Sequence, residues 1–219
     1  AEEKLEFFKK KPFIDFFVEL EGELGFVDLI QKLTISGFSS AKLKENCVKI
    51  LNTSYMHENY LVSGSVERIQ DVNIIPSPYL TGAFDYFFDF PLIPMIETTR
   101  GCPFTCTFCS DGLAAKNKIY RYSPQRVEEE LHYIAKRTKN VAELMISDLN
   151  FGMYKQDVET AKMIRNVQEK YNYPTLLDAI AGKNMPKRTI EVAKIIKNGW
   201  ITGASIQSTD PEVLKQIKR

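Results

Sequence analysis

Three of the chain's four cysteines stand within eight residues, in the stretch IETTRGCPFTCTFCSDG, spaced Cys102-x3-Cys106-x2-Cys109. Clustered thiolates bind soft, thiophilic metals, so zinc and iron–sulfur are the candidate occupants. Structural zinc takes two separated C-x2-C pairs, or one pair completed by histidines. Here there is a single C-x2-C, one extra cysteine, and only His57 and His132 elsewhere. Ferredoxin clusters use four cysteines at other spacings. Three thiolates can instead hold three irons of a [4Fe–4S] cube and leave the fourth open, as catalytic metal sites stay unsaturated. A zinc-binding structural or interaction module using the same cysteines is the competing reading, and incidental thiols are the plainest one. Cys47, in the apolar setting ENCVKI, reads as a small core residue rather than a fourth ligand.

The elements that must position this loop alternate along the second half of the chain. LIPMIETTRG reads as a strand running into the cysteine loop. SPQRVEEELHYIAKRTK is a helix with Ser123 as N-cap and Pro124 at its first position. VAELMISDLNFG is a strand, KQDVETAKMIRNVQEKY a helix, TLLDAIAGKN a strand, and KRTIEVAKIIKNG a helix closed by Gly199. WITGASIQST is a fourth strand, and DPEVLKQIKR starts a fourth helix. Strand and helix alternating in this way predict parallel strands with helices outside. Upstream, FIDFFVEL reads as a buried strand and LGFVDLIQKL as a helix, a β-turn-α unit. CVKILNTSYM and YLVSGSVERI suggest a hairpin, and the proline- and aromatic-rich IIPSPYLTGAFDYFFDFPLIP an ordered linker.

Composition narrows the classes. The chain has 219 residues with 29 Lys and Arg against 28 Asp and Glu, so no strong field draws nucleic acid or an anionic membrane. A hydrophobic fraction of 44% fits a folded core. No apolar run approaches the roughly 18 residues of a membrane-spanning helix. AEEKLEFFKKKPF lacks the apolar core of a signal peptide, which points to the reducing cytoplasm, where clustered cysteines hold metal more often than they pair. Both ends read as cut from a longer protein.

The cysteine spacing, with Phe108 before the last cysteine, resembles the signature of the radical S-adenosylmethionine enzymes. IPSPYLTGAFDYFF and IPMIETTRGCPFTCTFC are similar to the junction in the subgroup that carries an N-terminal cobalamin-binding-like domain, and RYSPQRVEEEL, ISDLNFGM and SIQSTDPEVLKQIKR are similar to its continuation. KPFIDFFVELEGELGFVDLI resembles the last strand, turn and helix of that Rossmann-like domain. The resemblance implies an α/β fold in which residues 1–75 are the Rossmann remnant, 76–91 a linker, and 92–219 the first half of a TIM-type (β/α) barrel. It implies a [4Fe–4S] cluster on Cys102, Cys106 and Cys109. The open iron would bind the amino and carboxylate groups of S-adenosylmethionine, whose reductive cleavage gives methionine and a 5′-deoxyadenosyl radical that starts chemistry on a substrate the sequence does not identify.

The same resemblance places Phe108 against the adenine and makes Asp148 and Asn150 candidates to hold the methionine amino group. Ser205 and Gln207, at period two on the fourth strand, are candidates for the ribose or carboxylate. Arg100 would balance the cluster or fix the loop. A flavodoxin- or ferredoxin-type electron donor is implied, and a half barrel would leave a sheet edge open to association. The resemblance leaves cobalamin open for the full-length protein, and many members of the family lack it. The histidine loop that holds it would precede Ala1, and Leu20 replaces a glycine of the usual glycine–acid–glycine–acid turn, so this chain is not expected to hold cobalamin by itself. His132, on a charged helix, is expected to face solvent.

Overall fold

The computed structural model describes residues 2–113, 116–182, 184–197, 200–201 and 206–218, with Ile201 described in its backbone alone. The chain divides into two compact units, residues 1–70 and 71–219.

In the first unit, helix α1 (Glu2–Lys10) carries acids in its first turn and lysines in its last, the arrangement that complements the helix dipole. Strand β1 (Phe17–Val18) is followed by α2 (Gly22–Ile35) and the short α3 (Ser40–Glu45), and β2 (Thr53–His57) turns back into β3 (Tyr60–Ser63). The three strands form an antiparallel sheet in the order β1-β2-β3. The expected hairpin is present. The expected strand over 13–20 shrinks to two residues, because a turn from Lys11 to Ile14 precedes it and Phe13 is 76% exposed. Leu29, Leu43, Ile50 and Tyr55 form the core, with Val18, Leu33 and Val62 packed on it. Helix α2 approaches β1 closely at Gly25, where a Cβ would stand 2.8 Å from Val18. Cys47 lies outside that core. It is exposed and sits at positive φ (47°) just after α3, because the chain reverses there rather than entering a strand.

The second unit is built on four parallel strands, β4 (Met95–Ile96), β7 (Glu143–Phe151), β8 (Leu176–Ala181) and β9 (Trp200–Ile201), in the order β4-β7-β8-β9. Met95 pairs with Met145, Glu143 with Leu176, and Leu177 with Trp200. Helices α4 (Pro124–Arg137), α5 (Lys155–Tyr171) and α6 (Pro186–Ile195) connect these strands, and α4 packs on α5 and α5 on α6. Pro124 at the start of α4 and the Ser123 hydroxyl accepting from Arg126 N follow from the sequence signals. Pro186 likewise opens α6 and Asp210 caps α7 (Pro211–Gln216), while Gly199, expected to close α6, lies outside the described residues. The alternating strands and helices therefore fold as expected, with β9 described over two residues only.

The linker segment belongs to this second unit. The Tyr79 hydroxyl accepts from Met95 N (3.0 Å) and donates to Met95 O (2.9 Å), satisfying both backbone groups on an end strand of the sheet. Tyr79 also makes an edge contact with Phe84 at 5.4 Å, and the Tyr133 hydroxyl donates to Asp85 at 2.6 Å. His132 is half-buried rather than solvent-facing, because α5 brings Tyr171 edge-on to its ring at 5.6 Å. No helix among the described residues is long and apolar enough to cross a membrane.

Candidate cluster-binding loop

Along β7, Leu144, Ile146, Asp148 and Asn150 are all buried while the residues between them are less so. One face of the strand thus changes from apolar to acid and amide as it approaches its carboxyl end. Ligand sites of parallel α/β sheets assemble at that end. Asp148 reaches across to the chain that leads into the cysteine loop, accepting from Thr98 N at 2.7 Å and from the Thr98 hydroxyl at 2.5 Å. This contact explains why the expected continuous strand through Thr99 is interrupted. Thr98 N is turned to a side chain instead of a neighbouring strand.

After that break a second sheet begins. β5 (Thr99–Arg100) pairs antiparallel with β6 (Tyr120–Arg121), Thr99 opposite Arg121 and Arg100 opposite Tyr120. Tyr122 N donates to Thr98 O at 3.1 Å, extending the closure. The cysteine loop is what these two strands close. At its start Gly101 has φ +98°, and a Cβ there would lie 2.2 Å from Lys118 O. Within it, a Cβ on Gly112 would lie 2.4 Å from Cys106 O. Both glycines are required by backbone contact. Cys109 N donates to Cys106 O (3.2 Å) and Gly112 N to Cys109 O (3.1 Å), and Thr107 N donates to Ile217 O (3.1 Å), tying the loop to the end of α7.

No disulfide joins the three cysteines. Cys106 is buried, Cys102 half-buried and Cys109 exposed. The Asn150 side-chain amide donates to Cys102 Sγ at 3.4 Å, so the structure brings together one expected site residue and one expected ligand that lie 48 positions apart. Phe108 is 57% exposed at the loop's tip. Arg100 fixes the loop base. It pairs with Glu97 at 2.7 Å and also donates to the Tyr122 hydroxyl. Gln207 is exposed with φ 61°, outside any strand, so the period-two relation expected for it does not hold there. Ser205 lies outside the described residues.

The chemistry of the donor set suits an iron–sulfur cube with one open iron: three thiolates in one loop, with no histidine and no fourth cysteine in it. A cube offers each thiolate its own iron, and an amide donor on a ligating sulfur is a common means of tuning such a cluster.

Charge around the loop is arranged on buried groups. Burial pushes the Asp148 carboxyl up to about 6, against the opposing hydrogen bonds from Thr98. Asp157, which accepts from Tyr154 N at 2.8 Å, is likewise pushed up to about 6 by burial, opposed by backbone N–H groups and Arg121. Burial raises the Tyr154 hydroxyl to about 12, with Cys102 adding to the rise and Arg121 opposing it. Tyr154 lies just outside the quoted stretches, and Arg121 opens RYSPQRVEEEL without a role of its own until β6 closes on β5.

The comparisons agree with this geometry. Residues 96–219 match the family model of the radical SAM superfamily. The chain is 30% identical over 225 residues to a 2-(S-pantetheinyl)-carbapenam-3-carboxylate methyltransferase of Streptantibioticus cattleyicolor, covering 98% of this chain and 32% of that protein. It therefore spans about a third of that relative's length. Among solved structures it superposes on the cobalamin-dependent S-adenosylmethionine radical enzyme OxsB, with aqua-cobalamin bound (TM-score 0.64, 20% identity, 97% of this chain and 30% of that one). It also superposes on the radical S-adenosylmethionine methyltransferase TsrM of Kitasatospora setae, with cobalamin and a [4Fe-4S] cluster bound (TM-score 0.57, 14% identity, 96% and 40%). At those identities the likeness carries the fold. The family match covers the strands, the cysteine loop and the helices that hold it, and the chain belongs to the radical SAM superfamily.

Proposed function

We propose that this chain carries the cluster-binding part of a radical S-adenosylmethionine enzyme of the methyl-transferring type. The observation that carries the reading is the cysteine loop itself, closed by β5–β6 at the carboxyl end of parallel strands, with the Asn150 amide on the Cys102 thiol. Cys102, Cys106 and Cys109 would hold the [4Fe–4S] cluster. When bound and reduced, the cluster supplies the electron that splits the sulfonium carbon–sulfur bond of S-adenosylmethionine.

The chain's own residues do the positioning. Asp148 holds Thr98 and so sets where the loop leaves the sheet. Asn150 orients Cys102. Lone pairs remaining on the Asp148 oxygens and the Asn150 carbonyl lie on the same strand face, where a methionine ammonium would find acceptors. Phe108, exposed beside Cys109, offers a ring face for the adenine. Ser205 and Gln207 follow β9 and are assigned to the ribose or carboxylate. The strand order β4-β7-β8-β9 supports residues 92–219 as part of a (β/α) barrel. Residues 1–75 would be the remnant of a Rossmann-like domain on the sequence resemblance alone, since their three described strands pair antiparallel.

Methyl transfer is favoured over other radical outcomes because relatives from distinct comparisons are named methyltransferases. Cobalamin would serve the full-length protein. Leu20, at φ 55°, keeps the left-handed backbone of the glycine it replaces, so the turn survives even though the residue differs. A flavodoxin- or ferredoxin-type protein in a reducing cytoplasm would deliver the electron.

The test is anaerobic. The reconstituted, reduced chain is mixed with S-adenosylmethionine and followed by electron paramagnetic resonance. A changed cluster signal, absent with S-adenosylhomocysteine, is expected. A signal indifferent to S-adenosylmethionine at saturating concentration counts against the proposal.

A further inference from the structure

Two buried donors next to the closed cysteine loop have no hydrogen-bond partner among the described residues. The Tyr154 hydroxyl and Arg121 Nε are both shielded from solvent and unbonded. Leaving buried donors unpaired is costly, and such groups in folded proteins generally await something that completes them. Neither residue can easily turn away. Tyr154 follows Gly152, which has φ +84° and whose Cβ, if present, would stand 2.9 Å from Trp200 and 3.2 Å from Thr189. Its backbone N–H is held by Asp157 at 2.8 Å. Arg121 is fixed by the β5–β6 ladder that closes the cysteine loop, opposite Thr99. The two side chains are stacked on one another, the guanidinium 4.6 Å from the centre of the tyrosine ring. The ring lies within electrostatic reach of the Cys102 thiol, which already accepts from Asn150.

We propose that Tyr154 and Arg121 are a paired donor set whose hydrogen bonding is completed on the Cys102 side of the cluster, and that the pair raises the cluster's reduction potential. The inference rests on the cluster assignment made above. Hydrogen bonds and positive charge near cluster sulfurs stabilise the reduced, more negative state, so each donor makes the cluster easier to reduce. The two are positioning and tuning residues and form no bond to iron.

The experiment uses the whole chain, with Tyr154→Phe and Arg121→Lys. Tyr154→Phe removes only the hydroxyl and keeps the ring under Arg121. Redox titration followed by electron paramagnetic resonance should give a lower midpoint for both loaded variants than for the loaded wild type. Thermal melts supply the second readout. Because the hydroxyl is unpaired without the cluster, Tyr154→Phe should leave the cluster-free Tm unchanged or raise it, while reducing the rise in Tm on loading. A variant that loses its cluster while its cluster-free melt is unchanged or raised supports the same role. Midpoints equal to the wild type overturn the proposal. So does a Tm lowered equally in both forms, since the hydroxyl would then serve the fold alone. A wild-type chain that takes up no cluster overturns the cluster assignment itself and this proposal with it.

Discussion

Asp148 gives the structure a pH dependence opposite to that of an ordinary salt-bridged carboxylate. It is 3% exposed, and burial lifts it from 3.8 to about 6. With the folded value above the unfolded one, the native state binds the proton more tightly. Stability is therefore fullest below the unfolded value near 4 and declines as pH rises through about 6. A shift of that size corresponds to about 3 kcal/mol between the two limits. Asp148→Asn removes the titration. Its carbonyl can accept from Thr98 N, and its amide can donate to the Thr98 hydroxyl once that hydroxyl rotates, so the replacement costs about 1 kcal/mol for an imperfect hydrogen bond. Chemical denaturation of the cluster-free proteins, read from about pH 3.5 to 8.5, should therefore give curves that cross near pH 4.5. The wild type should be the more stable by somewhat under about 1 kcal/mol near pH 3.5 and the variant the more stable by about 2 kcal/mol near pH 8, as the difference of those two terms requires. A difference that stays constant across the range refutes the reasoning. So does one in which the wild type gains on the variant as pH rises.

Two backbone predictions accompany it. Gly101→Ala places a methyl 2.2 Å from Lys118 O at φ +98°. Left-handed strain alone costs about 1–2 kcal/mol, and the clash forces β5 from β6, so iron retention after desalting should fall together with the melting temperature. At Leu20, with φ 55°, Leu20→Gly should stay within about 1 kcal/mol of the wild type, strain relief offsetting lost backbone entropy. Leu20→Ile should be clearly worse, because a β-branched residue tolerates positive φ poorly; equal melts for the two variants would contradict the turn.

The parts of the fold that were legible in the sequence are those specified locally. Cys102, Cys106 and Cys109 lie in one loop, and Ser123–Pro124 or Asp210–Pro211 mark a helix start within two residues. Asp148 and Asn150 were legible as polar positions on a strand. What they do was not, because Thr98 and Cys102 lie 50 and 48 positions away. The β5–β6 ladder was invisible for a similar reason. Two-residue strands carry no period, and Thr99 meets Arg121 only after the whole cysteine loop has closed. Arg121 consequently had no role of its own in the sequence, although it opens the quoted RYSPQRVEEEL. In the first unit α1 was missed although its charge order was present, and Cys47 was misplaced because its apolar neighbours serve a turn rather than a strand.

The central claim is that three thiolates and no fourth protein ligand hold a cube. Its most direct test is iron, labile sulfide and Mössbauer analysis of the anaerobically reconstituted chain, beside single Cys→Ser variants at each of the four cysteines. One [4Fe–4S] cluster per chain is expected, lost on substituting Cys102, Cys106 or Cys109 and retained on substituting Cys47. A chain that holds a single zinc and no labile sulfide would contradict it.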